Sequence, residues 1–339
     1  MKKEYYISAI VLANYQPNSS LIQVLKSLVD QNYTKYEIIL ILWGKTNQIN
    51  YSEIFKKYNI NLSKVSIWSS KKDLGYALGN NLGVKQAKGE FIFIINPDTI
   101  LPSNYLKKMM SSFLYLENLK KTDKIMLGPK ICHKDNINGI SRIEINFLGF
   151  SYLDSKKTNN IRKTMISSGC SFLIKKKYFD KLGGFNTDYF MYHDDTEFSY
   201  RSTKIGFSHY VDNSIHLWHI KSKYGYKMTK FKFFWWERNR LKFTLENSSK
   251  KIKMLICQLL MEPFMYIYAI KKGFLLEKLK ISAYIIQNLK TMISKKTKGK
   301  KYFENYYNME GILNEINLKS IVFLVLNFFV RILFLFYHN

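Results

Sequence analysis

The sequence predicts an α/β fold, a mostly parallel, doubly wound sheet, followed by a helical C-terminal extension that is both basic and apolar. Three observations carry this. Apolar runs and amphipathic segments alternate as strand and helix through roughly the first hundred residues, the order that builds a parallel sheet. Residues 91–95 (FIFII) show no polar alternation, so they read as a strand buried on both faces. After Asn247 the composition shifts: residues 249–339 hold 15 Lys or Arg against 5 Glu, a net +10, around two apolar stretches.

In order along the chain, residues 5–13 (YYISAIVLA) read as the first strand. Asn18, Ser19 and Ser20 can cap a helix running through Gln31, with Leu21, Val24, Leu25 and Leu28 on one face. Residues 36–43 (YEIILILW) form the second strand, closed by the turn residues GKTN. A short helix near 51–58, a strand near 64–69 and a helix near 76–88 lead to the strand 91–95. Pro97 cannot donate to a ladder and pushes Asn96 out of the helical region, so the strand stops. Asp98 then falls at the carboxyl end of a central strand, where open α/β sheets bind ligands. The residues alone equally allow a turn aspartate beside a proline.

Pro102 starts a helix to about Leu119. Residues 126–131 and 167–174 read as strands, and the Lys- and Asn-rich 154–163 as a loop. Residues 194–206 read as a helix with acids in its first turn, where the dipole favours them, and Gly206 at its end. Residues 229–247 make a further helix carrying WWERNR.

Composition narrows the function classes. A hydrophobic content of 47% over 339 residues excludes a disordered chain. The net charge of +28 leaves nucleic acid, an anionic membrane or phosphorylated small molecules as partners. No helix-turn-helix, RRM or zinc phrase appears, and acids gather at strand ends, so no nucleic-acid partner is expected. Cys132, Cys170 and Cys257 form no CxxC pair, which fits a reducing cytosol. The N-terminal MKKEYYISAIVLANY lacks a signal-peptide cleavage pattern.

Four phrases stand together: GYALGNNLGVKQAKGEFIFIINPDTIL (75–101), SSGCSFLIKKKYFDKLGGF (167–185), DYFMYHDDTEFSYRSTKIGF (188–207), and the pair LWHIKSKYG (217–225) and WWERNR (235–240). Their order and wording resemble the family-2 glycosyltransferases, inverting GT-A-fold enzymes that use nucleotide-activated sugars, in the rhamnosyltransferase-like branch that builds surface glycans. The likeness spans roughly residues 5–245.

The resemblance implies roles. Asn96-Pro97-Asp98 matches the family's D-x-D-type motif, so Asp98 would bind Mg²⁺ or Mn²⁺ on the donor diphosphate, a site suited to hard carboxylate oxygens. His219 matches the late histidine that completes the metal site; read alone it is an ordinary loop or core histidine. Asp194-Asp195 matches an acidic pair, with Asp195 as the base that takes the acceptor proton and Asp194 at the acceptor. Read alone, both are helix N-caps. Gly169 would begin the wall against which sugars pack. Ala13, Asn14, Tyr15, Trp43, Asp73, Gly75, Asn80, Asn96 and Arg238 would line the donor, the Arg238 fork suiting a diphosphate unless it is only a solvated helix face.

The sequence departs from the family after its second strand. Leu42 and Trp43 stand where an acid and an Asn read the nucleobase. Asp73 can replace the lost acceptor and Trp43 can stack on the base; otherwise Trp43 only packs in the core. The departure also admits an inactive scaffold of the same fold.

The expected domains are 1–248, with a nucleotide-binding half to about 100 and an acceptor half beyond, and 249–339 as a membrane-associating tail. The stretch 321–339 is short of the ~20 residues of a spanning helix and contains Asn327 and Arg331. It is expected to lie in the interface with lysines gripping anionic lipid, the alternatives being a core helix or an oligomer contact. The expected location is cytoplasmic, peripheral on the inner face of the membrane or held by a single C-terminal anchor. The expected partners are a nucleotide-sugar donor and a glycan or lipid-linked acceptor.

Overall fold

A computed structural model describes residues 4–14, 19–44, 51–58, 60–133, 136–156, 158–220, 228–295, 303 and 321–338, without the side chains of 51, 52, 136–138 and 321–327. Two compact units divide the chain: Met1–Arg142 with Asp154–Tyr226, and Ile143–Leu153 with Lys227–Asn339.

The first unit is built on β1 (Ile7–Asn14), β2 (Tyr36–Trp43), β3 (Val65–Ser70) and β4 (Phe91–Ile95), parallel in the spatial order β4-β1-β2-β3. The expected strands are all present. The apolar run of β4 splits between two cores. Phe91, Phe93 and Ile95 pack with helices α1 (Ser19–Val29) and α4 (Tyr105–Lys120). Ile92 and Ile94 pack with α3 (Gly75–Gln86) and with Phe198 of α6 (Asp194–Lys204). Helices thus cover both faces, and no position in the strand is left for a polar residue. Two short helices, α2 (Tyr51–Lys57) and α5 (Lys176–Lys181), complete the α-helices among the described residues of this unit. β3 is the edge strand, and its Ile67 and Trp68 are exposed.

The sheet continues past β4 through strands of mixed direction. β11 (Ser171–Lys175) pairs antiparallel with β4, and β6 (Ile125–His133) lies beyond it. β12 (Ser208–His219) pairs parallel with β6. β5 (Thr99–Ile100) and β10 (Ile161–Thr164) both pair with β12, and β7 (Asn136–Ile140) pairs with β6. β10 overlaps the end of the segment 154–163 expected to be a loop; four residues with two lysine or arginine side chains give a weak strand pattern, and pairing with β12 decides it.

The second unit holds the residues 143–153 of a ribbon formed by β8 (Arg142–Ile145) and β9 (Ser151–Asp154), then α7 (Lys230–Asn247), α8 (Lys251–Lys272), α9 (Leu275–Ser294) and α10 (Ile321–His338). The compact division therefore falls before α7, not at 248. The reason is a buried charge network joining α7 to the later helices. The Glu237 carboxylate accepts from Arg240 at 2.7 and 2.9 Å and from Lys278 at 3.0 Å, and Lys278 also reaches Glu262 at 2.8 Å. Burial pushes the Glu237 carboxyl up, but the Arg240 and Lys278 charges outweigh it and hold it at about 2. Removing one member would strand a buried charge, so α7 is committed to these helices. Helix α10 packs one face, with Val330, Leu333 and Tyr337 buried and the Tyr337 hydroxyl 2.7 Å from Ser248 Oγ.

Candidate active site

The parallel register brings strand ends to one edge. Asn14 pairs with Trp43, and Trp43 with Ser70. Ala13 is buried beside Leu42, which is 1% exposed and belongs to the core. Trp43 is half-buried and packs against the Ile10–Leu12 side of the sheet. Tyr15 lies outside the described residues.

Asp98 follows β4 across the Pro97 stop. The two-residue strand β5 pairs Thr99 with His219 and Ile100 with Trp218. Ile220 N–H donates to the Asp98 carbonyl at 2.7 Å. This register sets His219 Nε2 3.0 Å from Asp98 Oδ1, with side chains 15% and 35% exposed. The His133 ring lies 5.4 Å from that of His219. Asn96 is held through its backbone, donating to the Cys170 carbonyl at 2.9 Å and accepting Thr99 Oγ1 at 2.8 Å.

The second cluster forms where α6 begins. Phe190, Tyr192 and His193 take positive φ of 45°, 62° and 57°, uncommon for residues with a Cβ. The Phe190 carbonyl accepts from Tyr76 N–H at 2.6 Å and Ala77 N–H at 3.2 Å, at the start of α3. Gly75 makes this approach: its φ is +58°, and a Cβ there would meet Phe190 at 2.5 Å. Asp73 is exposed and accepts from Gly75 N–H at 3.1 Å. Asn80 is buried one turn into α3, its amide bonded to the Tyr76 carbonyl at 2.9 Å.

Asp195 is half-buried on the first turn of α6. Its Oδ2 accepts from Gly169 N–H at 2.9 Å and its Oδ1 from Thr196 N–H at 2.7 Å. On the other side of the same glycine, the Tyr76 hydroxyl donates to the Gly169 carbonyl at 2.5 Å. The Gly169 residue is thus clamped between Asp195 and Tyr76. The loop before it is stapled to α6 as well: Ser167 N–H donates to Ser199 Oγ at 3.1 Å, and Ser167 Oγ lies 2.9 Å from His209 Nδ1. His209 Nε2 is 2.9 Å from Ser202 Oγ, and burial holds this imidazole down at about 3, so it stays neutral.

Burial pushes the Asp195 carboxyl up, against the hydrogen bonds from Gly169 and Thr196. Asp194 is 4% exposed and is pushed well up by burial and then by the Asp195 charge. Burial and Asp194 push the Tyr192 phenol up to about 12. A carboxyl that holds its proton more tightly than usual is a better proton acceptor when ionised near neutral pH.

The predicted residues therefore gather as two clusters in the first unit, Asp98 with His219 and Asp195 with Gly169. Arg238 belongs to the second unit. Its guanidinium donates to Asn239 at 2.8 Å and to the Tyr284 hydroxyl at 2.7 Å and stacks on the Tyr284 ring at 4.1 Å. Among the described residues no group of three or more His, Cys, Asp or Glu side chains could hold a metal. Asp98 and His219 fit a divalent cation that takes its other oxygens from phosphate and water, the usual habit of Mg²⁺ sites. Sequence reasoning missed Tyr76, which stands in the 75–101 phrase but was given no role, and His209, which stands just past the 188–207 phrase.

Comparison with known proteins gives a consistent setting. The model of Glycosyl transferase family 2 matches residues 9–183. The chain is 23% identical over 196 residues to the low-salt glycan biosynthesis hexosyltransferase Agl10 of Haloferax volcanii, covering 52% of this chain and 61% of Agl10. It is 26% identical over 184 residues to a poly-beta-1,6-N-acetyl-D-glucosamine synthase of Staphylococcus epidermidis, covering 53% and 42%. It spans less than two thirds of the length of each of these curated relatives. Among solved structures, that of GalNAc-T7 with UDP, GalNAc and Mn²⁺ superposes with a TM-score of 0.61 at 14% identity, covering 87% of this chain and 59% of that one, a likeness of fold.

Proposed function

The chain belongs to glycosyl transferase family 2, and from that premise we propose that it is an inverting glycosyltransferase with the GT-A fold. It moves a hexosyl or deoxyhexosyl group from a nucleotide-activated donor to a glycan or lipid-linked glycan acceptor, in the assembly of surface polysaccharide or a glycoconjugate. The sequence likeness to the rhamnosyltransferase-like branch supports the deoxyhexosyl option. It works in the cytoplasm, at the inner face of the membrane.

The observation that carries this reading is the held carboxylate of Asp195. The Gly169 and Thr196 N–H groups fix its orientation. Burial raises its proton affinity. In the reaction Asp195 takes the proton of the acceptor hydroxyl while that oxygen bonds to the anomeric carbon. The bond from that carbon to the donor's diphosphate oxygen breaks on the opposite face, and the electron pair leaves with the nucleoside diphosphate. One base suffices, since no sugar is attached to the protein. Asp98 and His219 would hold Mg²⁺ or Mn²⁺, which when bound neutralises the leaving diphosphate. Asn14, Trp43 and Asp73, at one edge of the sheet, would border the nucleotide, with Ala13, Gly75, Asn80 and Asn96 shaping the donor side and Asp194 and Gly169 the acceptor side.

A second reading, a catalytically silent scaffold of the same fold, draws on Leu42. It is core-packed where the family carries a base-reading acid. Titration calorimetry with a panel of sugar nucleotides, with and without Mn²⁺, separates the two. Metal-assisted binding of one donor, followed by release of its nucleoside diphosphate on adding acceptor, is the expected result. Binding of no sugar nucleotide would sink the enzyme reading.

A further inference from the structure

Helix α8 is apolar on the side it shows to solvent. Ile252, Ile256, Leu259, Leu260, Ile267 and Ile270 are exposed, at helical spacings of three and four, with Pro263 among them. Ile252, Leu259 and Ile270 are each about 60% exposed. The stripe covers about 27 Å at 1.5 Å per residue. Its central polar groups face the other way. Gln258 is 2% exposed and bonds Arg240 at 2.7 Å and Thr244 at 3.0 Å, and Glu262 accepts from the buried Lys278 at 2.8 Å. A surface helix in water does the reverse, apolar side in and polar side out. Polar groups turned to the protein interior and aliphatic groups turned outward suit an apolar medium.

The ends of the stripe are basic. Lys271 and Lys272 are exposed at the C-terminal end, and α9 adds exposed Lys280 and Lys290. Fourteen of the protein's 22 exposed large hydrophobics among the described residues lie on α8, α9 and α10. Scattered apolar residues need no explanation, but a patch of this extent does.

We propose that the outer face of α8 is a membrane-docking surface that beds in the acyl boundary of an anionic bilayer, with the lysines at its end on the lipid headgroups. Net charge of +10 over residues 249–339 matches that partner and repels a second copy of the same face. This assigns the docking to α8; α10 in the 321–339 stretch buries Val330, Leu333 and Tyr337 in the protein and leaves Phe328, Ile332, Leu335 and Phe336 exposed, a shorter apolar face in the same unit. The proposal rests on the membrane location given above but not on sugar transfer, and its test contains no donor.

The full chain is floated with vesicles of phosphatidylcholine alone or mixed equally with phosphatidylglycerol, at low and high salt. The variant Ile252→Gln/Leu259→Gln/Ile267→Gln keeps side-chain bulk at exposed positions; a milder Leu259→Ala/Ile267→Ala guards against a folding defect, and melting curves check both. Wild type should float with the mixed vesicles, less so at high salt or with phosphatidylcholine alone. The variants should lose about tenfold or more in partitioning with unchanged melting. Three results would overturn the proposal: no flotation of wild type, flotation of melting-competent variants equal to wild type, or a stripe-dependent dimer by light scattering that does not bind vesicles.

Discussion

Gly169 gives the sharpest test of how Asp195, the proposed base, is held. In Gly169→Ala the new Cβ would stand 2.9 Å from the Tyr76 hydroxyl, 3.2 Å from its Cζ and 3.4 Å from the Asp195 Cβ. The first distance is too short, so something must shift. The tyrosine cannot yield cheaply: its ring packs edge-on against Phe185 at 5.4 Å, and its own N–H is tied to the Phe190 carbonyl. Overpacking of this kind costs about 1–3 kcal/mol. Losing the Tyr76 bond to a buried carbonyl adds a cost of about 1–3 kcal/mol. At about 2–4 °C per kcal/mol for a domain of this size, the melting temperature should fall by several degrees. The larger effect is on turnover. The Gly169 N–H holds Asp195 Oδ2, and moving a reacting group by about 1 Å can cost about 10²-fold in rate. The expected result is a turnover loss near that size with donor affinity preserved. The double variant Gly169→Ala/Tyr76→Phe removes the clashing oxygen and should recover part of the turnover, a non-additive outcome. If Gly169→Ala melts and turns over like wild type, the clamp on the base does not exist.

Other expectations follow from the same geometry. Asp195→Asn should lower turnover by about 10²–10⁴ while donor binding measured by calorimetry persists; near-normal turnover removes the base assignment. Asp98→Ala should weaken Mn²⁺-dependent donor binding, and His219→Ala should weaken it less; wild-type activity that survives EDTA defeats both. Asp194→Asn should stabilise the protein at high pH. The native Asp194 carboxyl sits above its unfolded value, so its contribution to stability is complete below the ordinary carboxylate range and is lost as pH rises through the native value. Asn has no proton to lose, so the melting-temperature gain of the variant over wild type should widen from pH 4 to pH 8 (both about those values). A constant gap would mean that Asp194 is not strained by its charge.

The parallel half of the sheet was legible because its strands are apolar on both faces and their ends are marked by Pro97 and GKTN. Asp98 was legible for the same reason. β12 was not read as a strand, although it carries His219, because its middle is Asp212-Asn213-Ser214. The register with β6 shifts there, and Asp212 Oδ1 accepts from Ser214 N–H at 2.9 Å, a local turn-like bond inside a strand. His219 was therefore reached through the family likeness, and only the pairing of β5 with β12 explains its approach to Asp98. Gly169 was expected as a wall for sugars; what the fold makes visible is its backbone, which no side-chain pattern encodes. Helix α9 went unread for a related reason: Lys278 sits on its buried face, and a lysine in a sequence reads as a solvated position until Glu237 and Glu262 are seen to enclose it.

Whether Asp194 and Asp195 are only helix caps is a question of magnitudes. A helix N-terminus favours a carboxylate by about 0.3–1 kcal/mol, and by about 2 in partly buried geometry. An acid placed for that purpose alone gains most when it is exposed and ionised, and the helix then holds its proton affinity down. Both carboxyls here are pushed the other way, by burial first and, for Asp194, by its neighbour's charge. The fold therefore places two acids where burial opposes their ionisation, the reverse of what a helix cap alone calls for. It also reaches that position through three residues at positive φ, each costing about 1–3 kcal/mol. A capping box needs neither burial nor strain, since an exposed Ser or Asp does the same work. A proton acceptor at a substrate needs both a raised affinity and a fixed direction, and Gly169 and Thr196 supply the direction. The cost in stability thus favours the reading of Asp195 as a base over that of a cap.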